Sequence, residues 1–379
     1  MQRPVNASED TNTKTAQLVK LISEIGPDIP EISRRLGQFK ESVRYRYKEK
    51  VINKGFVVQA AVDHEKLGLK RLILVADFEQ EYRQYANAIL TAMSELCYLV
   101  YFARTLPDGH YIVIVAVPTE YVNDYSKFVH SLRNKGLFSS VELLEFDWAR
   151  NPPMKSEFYD FDVGRWDSGW SAPVKQDYSS SAFFPSKPEK FDYTDLLILK
   201  ELQKDASKTL TEIATQLKVN YKKLAWHHAT HVLGRGLIKS YRLNWMGTRY
   251  DYKLEKALQR KHRYMEIVVV VRNVNEWERA GLIASANRLP FLWFEAGGKN
   301  YYADFAFPID TITEAFEYLL TALAPFKGRY DYHIIDTSNA LTFTIAYQLY
   351  NQESKRWELN SQESLSGFDE LLMRIKATG

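Results

Sequence analysis

Two short stretches of the chain carry side chains suited to contacts with phosphates and base edges. In the first stretch these side chains are Lys40, Arg44, Tyr45, Arg46, Lys48 and Lys50. Arginine forms paired hydrogen bonds with guanine, lysine adds a point charge, and phosphate contacts supply most of the affinity of such elements. Glu41 and Glu49 offset only part of the positive charge. The first stretch therefore predicts an element that binds double-stranded DNA.

A second stretch repeats this chemistry with fewer permanent charges. Its candidate DNA contacts are Lys222, Lys223, Trp226, His227, His231 and Arg235. Trp226 aligns with Tyr45, and both rings can touch thymine methyl groups or sugars. Because histidine replaces arginine here, this stretch contacts DNA more weakly than the first, reads a different site, or serves mainly in pairing.

His227 and His231 also have the one-turn spacing of a metal-binding pair. No carboxylate or cysteine near them in the sequence completes a site. We therefore expect phosphate contact or simple packing for these rings rather than metal binding, and we expect no cofactor.

Runs of charge also occur on ordinary solvated helix faces. An internal repeat of the two stretches favours the DNA-binding interpretation. Residues 30–36 align with residues 211–217, and the same offset pairs Gly55 with Gly236. Identity is low, but the apolar positions coincide. The repeat predicts an internal duplication.

Each copy has the pattern of a winged helix-turn-helix, which is three helices followed by a β-rich wing. Asp192 is suited to cap the first helix of the second copy, and Thr209 and Glu212 fit a capping box for the next helix. Wings are predicted over 56–62 and 237–243. In the third helices, the residues expected to face the core are Val43, Tyr47, Val51, Leu224, His228 and Val232.

After each wing, strand and helix patterns alternate in the order βαββαβ, which is typical of a ferredoxin-like sandwich. In the first half the elements are predicted over 71–78, 81–95, 98–106, 110–117, 120–135 and 139–148. In the second half they are predicted over 265–271, 275–286, 291–296, 301–307, 311–324 and 329–336. An extra strand over 341–350 and a helix over 368–375 are predicted to follow.

The fold class is therefore α+β, with tandem winged helix-turn-helix domains each followed by a βαββαβ ferredoxin-like (RAM-type) domain. The predicted domains are 13–68 and 191–246 for the winged helices, 69–150 and 260–352 for the α/β units, and 353–379 for a C-terminal extension with a helix. A linker over 151–190 joins the halves, and its aromatic residues predict that it packs on a domain surface: Phe158, Tyr159, Trp166 and Trp170. The extra residues of the second half fall in a basic stretch between Met246 and Arg263.

Composition limits the classes of protein to consider. Hydrophobic residues make up 45% of the 379, which is enough for real cores, and the net charge of +3 means that any basic surface must be local. The single cysteine, Cys97, excludes internal disulfides and lies in an apolar run that indicates burial. Because no signal core or bilayer-length apolar run is present, we expect a cytoplasmic, nucleoid-associated protein without membrane contact.

The order of a winged helix-turn-helix followed by βαββαβ resembles the Lrp/AsnC family of bacterial and archaeal transcription regulators. The resemblance is strongest over Asp192 to Leu243. It implies DNA binding by the third helices, pairing through the α/β domains as a homodimer or as a pseudo-dimer within one chain, and a small effector between those domains. This chain departs from the family pattern by carrying two copies and a third helix about one residue longer. Its two effector-loop regions, 107–111 and 297–301, also differ from each other.

Two alternatives remain open beside a regulator, which would not be an enzyme. Sirohaem decarboxylases resemble the same family and pair two such chains, and Arg104, His110 and Tyr111 lie near the relevant hairpin, although the His-Tyr-Asn-Leu-Trp run of those enzymes is absent. Winged helices also bind proteins, so the chain is alternatively an interaction module. Nucleophile triads, phosphate loops and dinucleotide fingerprints are not apparent in the sequence.

Overall fold

The computed structural model of the chain describes residues 6–171, 186–245, 264–359 and 361–378. The predicted domain boundaries at 246 and 260, the basic stretch between Met246 and Arg263, and most of the second half of the predicted linker lie outside the described residues. No helix within the described ranges is long and apolar enough to cross a membrane.

The N-terminal region holds three helices and one strand: α1 (Asn6–Ile25), α2 (Ile29–Leu36), α3 (Lys40–Arg46) and β1 (Val57–Val62). After α3 the third helix continues as a π turn over Tyr47–Val51 and a 3-10 turn over Ile52–Lys54. Gly55 ends it with φ of 92°, a left-handed conformation that glycine adopts without strain. Val43 and Val51 are fully buried, as the every-fourth-residue pattern predicts.

A four-stranded unit with two helices follows. Its elements are β2 (Leu69–Phe78), α4 (Ala86–Leu96), β3 (Leu99–Leu106), β4 (Tyr111–Pro118), α5 (Val122–Asn134) and β5 (Phe138–Glu145). The predicted strand over 139–148 breaks after Glu145 and resumes as β6 (Trp148–Arg150). Cys97 is buried next to α4, as expected of a small apolar side chain.

The described first part of the predicted linker packs on the domains. It forms a small hairpin of β7 (Tyr159–Asp160) and β8 (Arg165–Trp166). The rings of Tyr159, Trp166 and Trp170 are nearly inaccessible, and Phe56 of the first winged helix meets Tyr159 edge to face with ring centroids 5.5 Å apart. These contacts confirm the prediction that the aromatic residues hold this segment against the protein.

The second helical region repeats the element order of the first: α6 (Tyr193–Lys204), α7 (Leu210–Leu217), α8 (Tyr221–His227) and β9 (Ile238–Asn244). Asp192 and Asp195 form a capping box at the start of α6, and Thr209 and Glu212 form another at α7, which confirms both predicted caps. After α8 a π turn runs over His228–Leu233.

The two predicted wings pair with each other. β1 and β9 form a two-stranded antiparallel sheet in which Val58 lies opposite Leu243 and Ala61 opposite Ser240. In addition, the Tyr47 hydroxyl of the first helical region lies 2.8 Å from the Ser207 hydroxyl of the second. The two helix-turn-helix units are therefore joined into one body.

The second α/β unit consists of β10 (Tyr264–Val271), α9 (Glu276–Arg288), β11 (Leu292–Gly297), β12 (Tyr301–Pro308), α10 (Ile312–Leu323) and β13 (Tyr330–Thr342). Both units belong to one antiparallel sheet with the strand order β5-β2-β4-β3-β13-β10-β12-β11-β6. Each half of this order has the ferredoxin-like arrangement. The units meet where β3 pairs with β13, so the pairing of α/β units occurs within the chain.

The sheet also closes on itself. β5 pairs with β2 at one end of the strand order, whereas β6 pairs with β11 at the other end, and only Phe146 and Asp147 separate β5 from β6. One bent segment thus bridges both ends. The Tyr101 hydroxyl donates to Glu266 Oε1 at 2.6 Å, and both residues are buried, so the inner faces of the two units are in contact.

The C-terminal prediction is partly wrong. Instead of a strand over 341–350, the chain leaves β13 after Thr342, forms a 3-10 turn over Tyr347–Leu349, and then a hairpin of β14 (Tyr350–Asn351) and β15 (Arg356–Trp357). The reason is a side-chain contact: the Ile345 amide donates to Gln203 Oε1 of α6 rather than to a neighbouring strand. The final helix, α11 (Ser361–Thr378), extends the predicted helix in both directions.

Candidate nucleic-acid interface

The third helix of the first unit presents an exposed basic and aromatic face. Lys40, Arg44 and Lys48 are exposed, and Tyr45 is 69% exposed. Arg44 Nη1 donates to Glu41 Oε1 at 2.7 Å, but this pair lies in water, where such ion pairs contribute little and exchange readily for a phosphate. Four of the six predicted contacts of this helix are therefore accessible to a ligand.

The other two predicted contacts are partly engaged by the protein itself. Arg46 is half-buried, and its Nη1 donates to Gln38 Oε1 at 2.7 Å. Lys50 Nζ donates to Asp162 Oδ1 at 2.5 Å, in the turn between β7 and β8, and Lys54 donates to the Asp162 carbonyl. The hairpin of β7 and β8 thus holds the end of the third helix, and Lys50 could contact DNA only by exchanging its Asp162 partner for a phosphate.

The second unit exposes a similar face on α8. Lys222, Lys223 and Trp226 are exposed, the Trp226 ring by 54%. Asn220 caps the helix by accepting from the Lys222 and Lys223 amides, which fixes the two lysines on its first turn. Arg235 is half-buried and its guanidinium donates to the Lys190 carbonyl, so this predicted contact is engaged by the chain.

The prediction that His227 contacts DNA is wrong. Its ring is 4% exposed, and its Nδ1 lies 2.9 Å from Asp195 Oδ1 on α6. His231 also turns inward, with Nδ1 2.9 Å from Asp195 Oδ2. A carboxylate therefore accompanies both histidines, contrary to the expectation from the local sequence. Asp192 Oδ1 lies 3.6 Å from His227 Nδ1.

Both third helices contain a π turn after the same number of α-helical residues. In the first, the Ile52 amide donates to the Tyr47 carbonyl, and in the second the Gly234 amide donates to the Ala229 carbonyl. Each bond spans five residues, so the turn holds one residue more than an α-helical turn. This accounts for a third helix that is longer than the Lrp/AsnC pattern predicts.

A cleft lies between the β1–β9 sheet and the closed sheet. Its lining includes His64, Arg71, Arg242, Trp293, Phe294 and Phe343. The Arg242 guanidinium stacks 4.4 Å from the centroid of the Trp293 ring. The cleft therefore combines arginine guanidinium groups with aromatic walls. No local sequence pattern marks it, because its residues come from both halves of the chain.

His64 is the buried titratable group of this cleft. Its Nδ1 lies 3.0 Å from the Val62 carbonyl oxygen and 3.1 Å from the Arg71 guanidinium. Its Nε2 is buried and has no hydrogen-bond partner among the described residues. Burial, followed by the nearby Arg71 charge, holds the pKa of His64 well below its ordinary value, so the ring is neutral at pH 7.

The residues considered for an enzyme lie together on the β3–β4 hairpin, where Arg104 is opposite Tyr111. Arg104 is exposed, His110 is half-buried and Tyr111 is buried, with its hydroxyl donating to Asn87 Oδ1 at 3.0 Å. These three described residues do not line the cleft. The two predicted effector loops also differ in surroundings, because a side chain at Gly297 would collide with the Trp148 ring, whereas Gly109 faces the flexible end of Arg104.

Comparison with known proteins bears on both sites. A family model described as winged helix-turn-helix DNA-binding matches residues 191–228. The crystal structure of the siroheme decarboxylase NirDL is similar to 94% of this chain and 99% of its own, with a TM-score of 0.51 and 12% identity. Its complex with an iron-uroporphyrin III analogue is similar to 95% of this chain and 99% of its own, at the same score and identity.

Known regulators match shorter parts. A transcriptional regulatory protein from Pyrococcus furiosus, a member of the AsnC family, covers 36% of this chain and 87% of its own, at 15% identity and a TM-score of 0.27. No curated protein matches the sequence. The chain thus has a mixed α+β fold like that of NirDL, with a winged helix-turn-helix and a large antiparallel sheet.

Proposed function

We propose that this protein is a sequence-specific DNA-binding transcription regulator of the Lrp/AsnC type, built by internal duplication of one winged helix-turn-helix and one ferredoxin-like unit. The observation that carries the proposal is the exposed cationic and aromatic face on both third helices. It supports docking in the major groove, where a helix of this kind contacts base edges and flanking phosphates.

Charge and position both support this role. Lys40, Arg44 and Lys48 on one helix and Lys222 and Lys223 on the other project into solvent from units that β1 and β9 join. The net charge of the chain is only +3, so these helices stand out as local basic surface on an otherwise balanced chain. A local basic face at a recognition helix is what groove binding requires.

The first experiment measures DNA binding by the Arg44→Ala/Lys48→Ala variant. The protein's DNA sites are first selected from random duplexes, and affinity is then measured over a range of salt. We expect weaker binding and a slope of log affinity against log salt that is shallower by about 2, because each phosphate contact contributes about 1. The control is Lys127→Ala, since Lys127 is an exposed lysine on α5 away from the third helices.

Unchanged affinity and slope in the Arg44→Ala/Lys48→Ala variant would reject the role of the first helix. The Lys222→Ala/Lys223→Ala variant tests the second helix in the same way. A wild-type chain that selects no duplex, and instead retains a protein partner on pull-down, would favour the interaction-module alternative.

A second candidate function is binding and conversion of an anionic tetrapyrrole in the cleft. The specific observation is that Arg71 and Arg242, which suit carboxylates, share the cleft with aromatic walls and with the unpartnered Nε2 of His64. The full-length similarity of fold to NirDL motivates the ligand class.

This candidate is tested by titrating the protein with iron-uroporphyrin III and recording its visible absorption. We expect a saturable change at one ligand per chain that is lost in the Arg71→Ala/Arg242→Ala variant and retained in Arg133→Ala, which alters an arginine outside the cleft. Absence of any spectral change in the wild-type protein would remove the candidate. Conversion is followed by the loss of carboxyl groups in the mass of the recovered ligand.

A further inference from the structure

Four metal-ligating side chains converge where the start of α6 meets the end of α8. Each of Asp192, Asp195, His227 and His231 offers one ligand atom, and these atoms all lie within 4.8 Å of one another. Asp195 is fully buried, and His227 is nearly so. We propose that this cluster is a binding site for one divalent transition-metal ion of the zinc class.

The donor set selects the kind of ion. Two imidazole nitrogens and two carboxylate oxygens suit Zn²⁺ and the neighbouring first-row metals, whereas Ca²⁺ and Mg²⁺ prefer shells of oxygen alone. Two carboxylates also balance a 2+ charge, which matters in a site that contains fully buried Asp195.

The distances approach those around a small ion. Ligand atoms that surround Zn²⁺ tetrahedrally at about 2.0–2.2 Å lie roughly 3.3–3.6 Å apart. Here His227 Nδ1 lies 2.9 Å from Asp195 Oδ1 and 3.6 Å from Asp192 Oδ1. His231 Nδ1 lies 2.9 Å from Asp195 Oδ2. Both Nδ1 atoms face the same carboxylate. Because the four ligand atoms are spread over as much as 4.8 Å, some of them would have to move by about 1 Å to complete a tetrahedral shell.

The local fold builds this convergence from separate segments. The capping box at α6 fixes both aspartates, because Asp192 accepts from the Asp195 amide and the Asp192 amide donates to Asp195 Oδ2. His227 ends α8, and His231 lies in the π turn that follows. An ion would tie the first turn of α6 to the helix that carries Lys222, Lys223 and Trp226.

The same contacts also describe an ion-free arrangement in which Asp195 accepts hydrogen bonds from both rings. A metal titration distinguishes the ion-free arrangement from a metal site. Only a metal site takes up one ion per chain and gives the visible absorption of tetrahedral cobalt. The experiment uses full-length protein stripped with a chelator and titrated with Co²⁺, followed by competition with Zn²⁺.

We expect one Co²⁺ per chain, with visible absorption bands of a four-coordinate site that Zn²⁺ abolishes. In His231→Gln the affinity should fall by at least about 10-fold, as removal of a ligand does. His130→Gln, which alters an exposed histidine on α5, should bind as the wild type does.

A second variant guards against a folding defect. Asp192→Asn keeps a good helix cap while removing one carboxylate, so it should fold and still bind cobalt more weakly. Circular dichroism confirms the fold of each variant. The proposal is overturned if the wild-type chain takes up no cobalt, or if folded His231→Gln and Asp192→Asn bind it unchanged.

Any effect of the ion on DNA affinity rests on the proposed regulator function and is measured separately. If the wild-type protein selects no DNA yet binds one cobalt ion, the regulator function fails and the metal site stands. If the protein binds DNA and takes up no ion, the metal site fails and the regulator function stands.

Discussion

At the scale of single residues, the groups buried between the two sheets set how the protein responds to acid. His64 is 7% exposed, and burial holds its pKa well below its ordinary value. Arg71 lies beside it, so a proton on the ring would place two positive charges in contact. Folding therefore keeps this histidine neutral.

The stability of the protein should fall as pH drops below the ordinary histidine pKa of 6.5. In that window the unfolded chain binds a proton at His64 and the folded chain does not, so acid favours unfolding. In His64→Gln the loss of unfolding free energy between about pH 7.5 and about pH 5.5 should be smaller. Urea unfolding at both pH values measures it. His130→Gln should retain the wild-type dependence, and an unaltered dependence in His64→Gln would contradict the assignment.

Buried Glu295 predicts a large effect of a single substitution. Arg150 Nε donates to its Oε2 and the Tyr301 hydroxyl to its Oε1, both at 2.6 Å. Arg150→Met should destabilise the fold by about 3–5 kcal/mol, because it leaves a buried carboxylate without its cation. Arg150→Met combined with Glu295→Gln should recover part of this loss in thermal unfolding. Equal stabilities of the single and double variants would show that the pair is not coupled.

Some residue-scale features could be predicted from sequence and others could not. The burial of Val43, Val51, Leu224 and Val232 follows from four-residue periodicity, which is local. The position of His227 could not be found that way, because its partner Asp195 lies 32 residues earlier and on another helix. The capping role of Asp192 marked this place, but only the packing of α8 brings the histidines to it.

At the scale of elements, the two third helices start differently. α8 begins with the Asn220 cap, whereas Phe39 precedes α3 without a side-chain cap and is 87% exposed. Phenylalanine cannot accept a hydrogen bond from the first backbone amides of α3, so the helix lacks the stabilisation that an asparagine cap would give.

Phe39→Asn should therefore stabilise the protein by about 0.5–2 kcal/mol, the usual contribution of a cap. The same substitution should weaken DNA binding if the ring touches the ligand. Urea unfolding gives the first quantity, and the salt titration described above gives the second. Asn220→Ala is the matched variant and should lose stability by a similar amount. A Phe39→Asn protein that is no more stable would indicate that the missing cap has no cost.

Elements were predictable where their signals are local. Both capping boxes and most helices and strands lie within a few residues of their predicted bounds, since caps and periodicity belong to the segment itself. In the sequence, the π turns show only as one extra residue in each third helix compared with the Lrp/AsnC pattern. The strand predicted over 341–350 does not form because Gln203 of a distant helix takes the Ile345 amide.

At the scale of the whole molecule, three strand pairings among the described residues join the halves, besides the covalent linker. β1 pairs with β9, β3 with β13, and β6 with β11. None of these pairings has a local sequence signal, because each joins strands far apart in the chain. The sequence therefore predicted two sets of units but not the closed sheet they form.

Cutting the chain within residues 172–185 should leave the halves associated. A protease site inserted there, once cleaved, should give two fragments that elute together in gel filtration at the position of the intact chain, because separation would break three strand pairings and expose apolar faces. Elution in urea shows that the cut is complete. Fragments that part in native buffer would contradict the three-way connection.

The antiparallel ladder between β1 and β9 has one more consequence. Under the proposed regulator function, two DNA-contacting helices joined within one polypeptide need no encounter between subunits, so occupancy of a DNA site would rise with the first power of protein concentration while the site is far from saturation. The helices also carry unlike side chains, Arg44 and Tyr45 on one and Lys223 and Trp226 on the other. Because the two helices differ in sequence, no exact two-fold symmetry relates them. Such a molecule would bind a site whose two halves differ in base sequence rather than a palindrome.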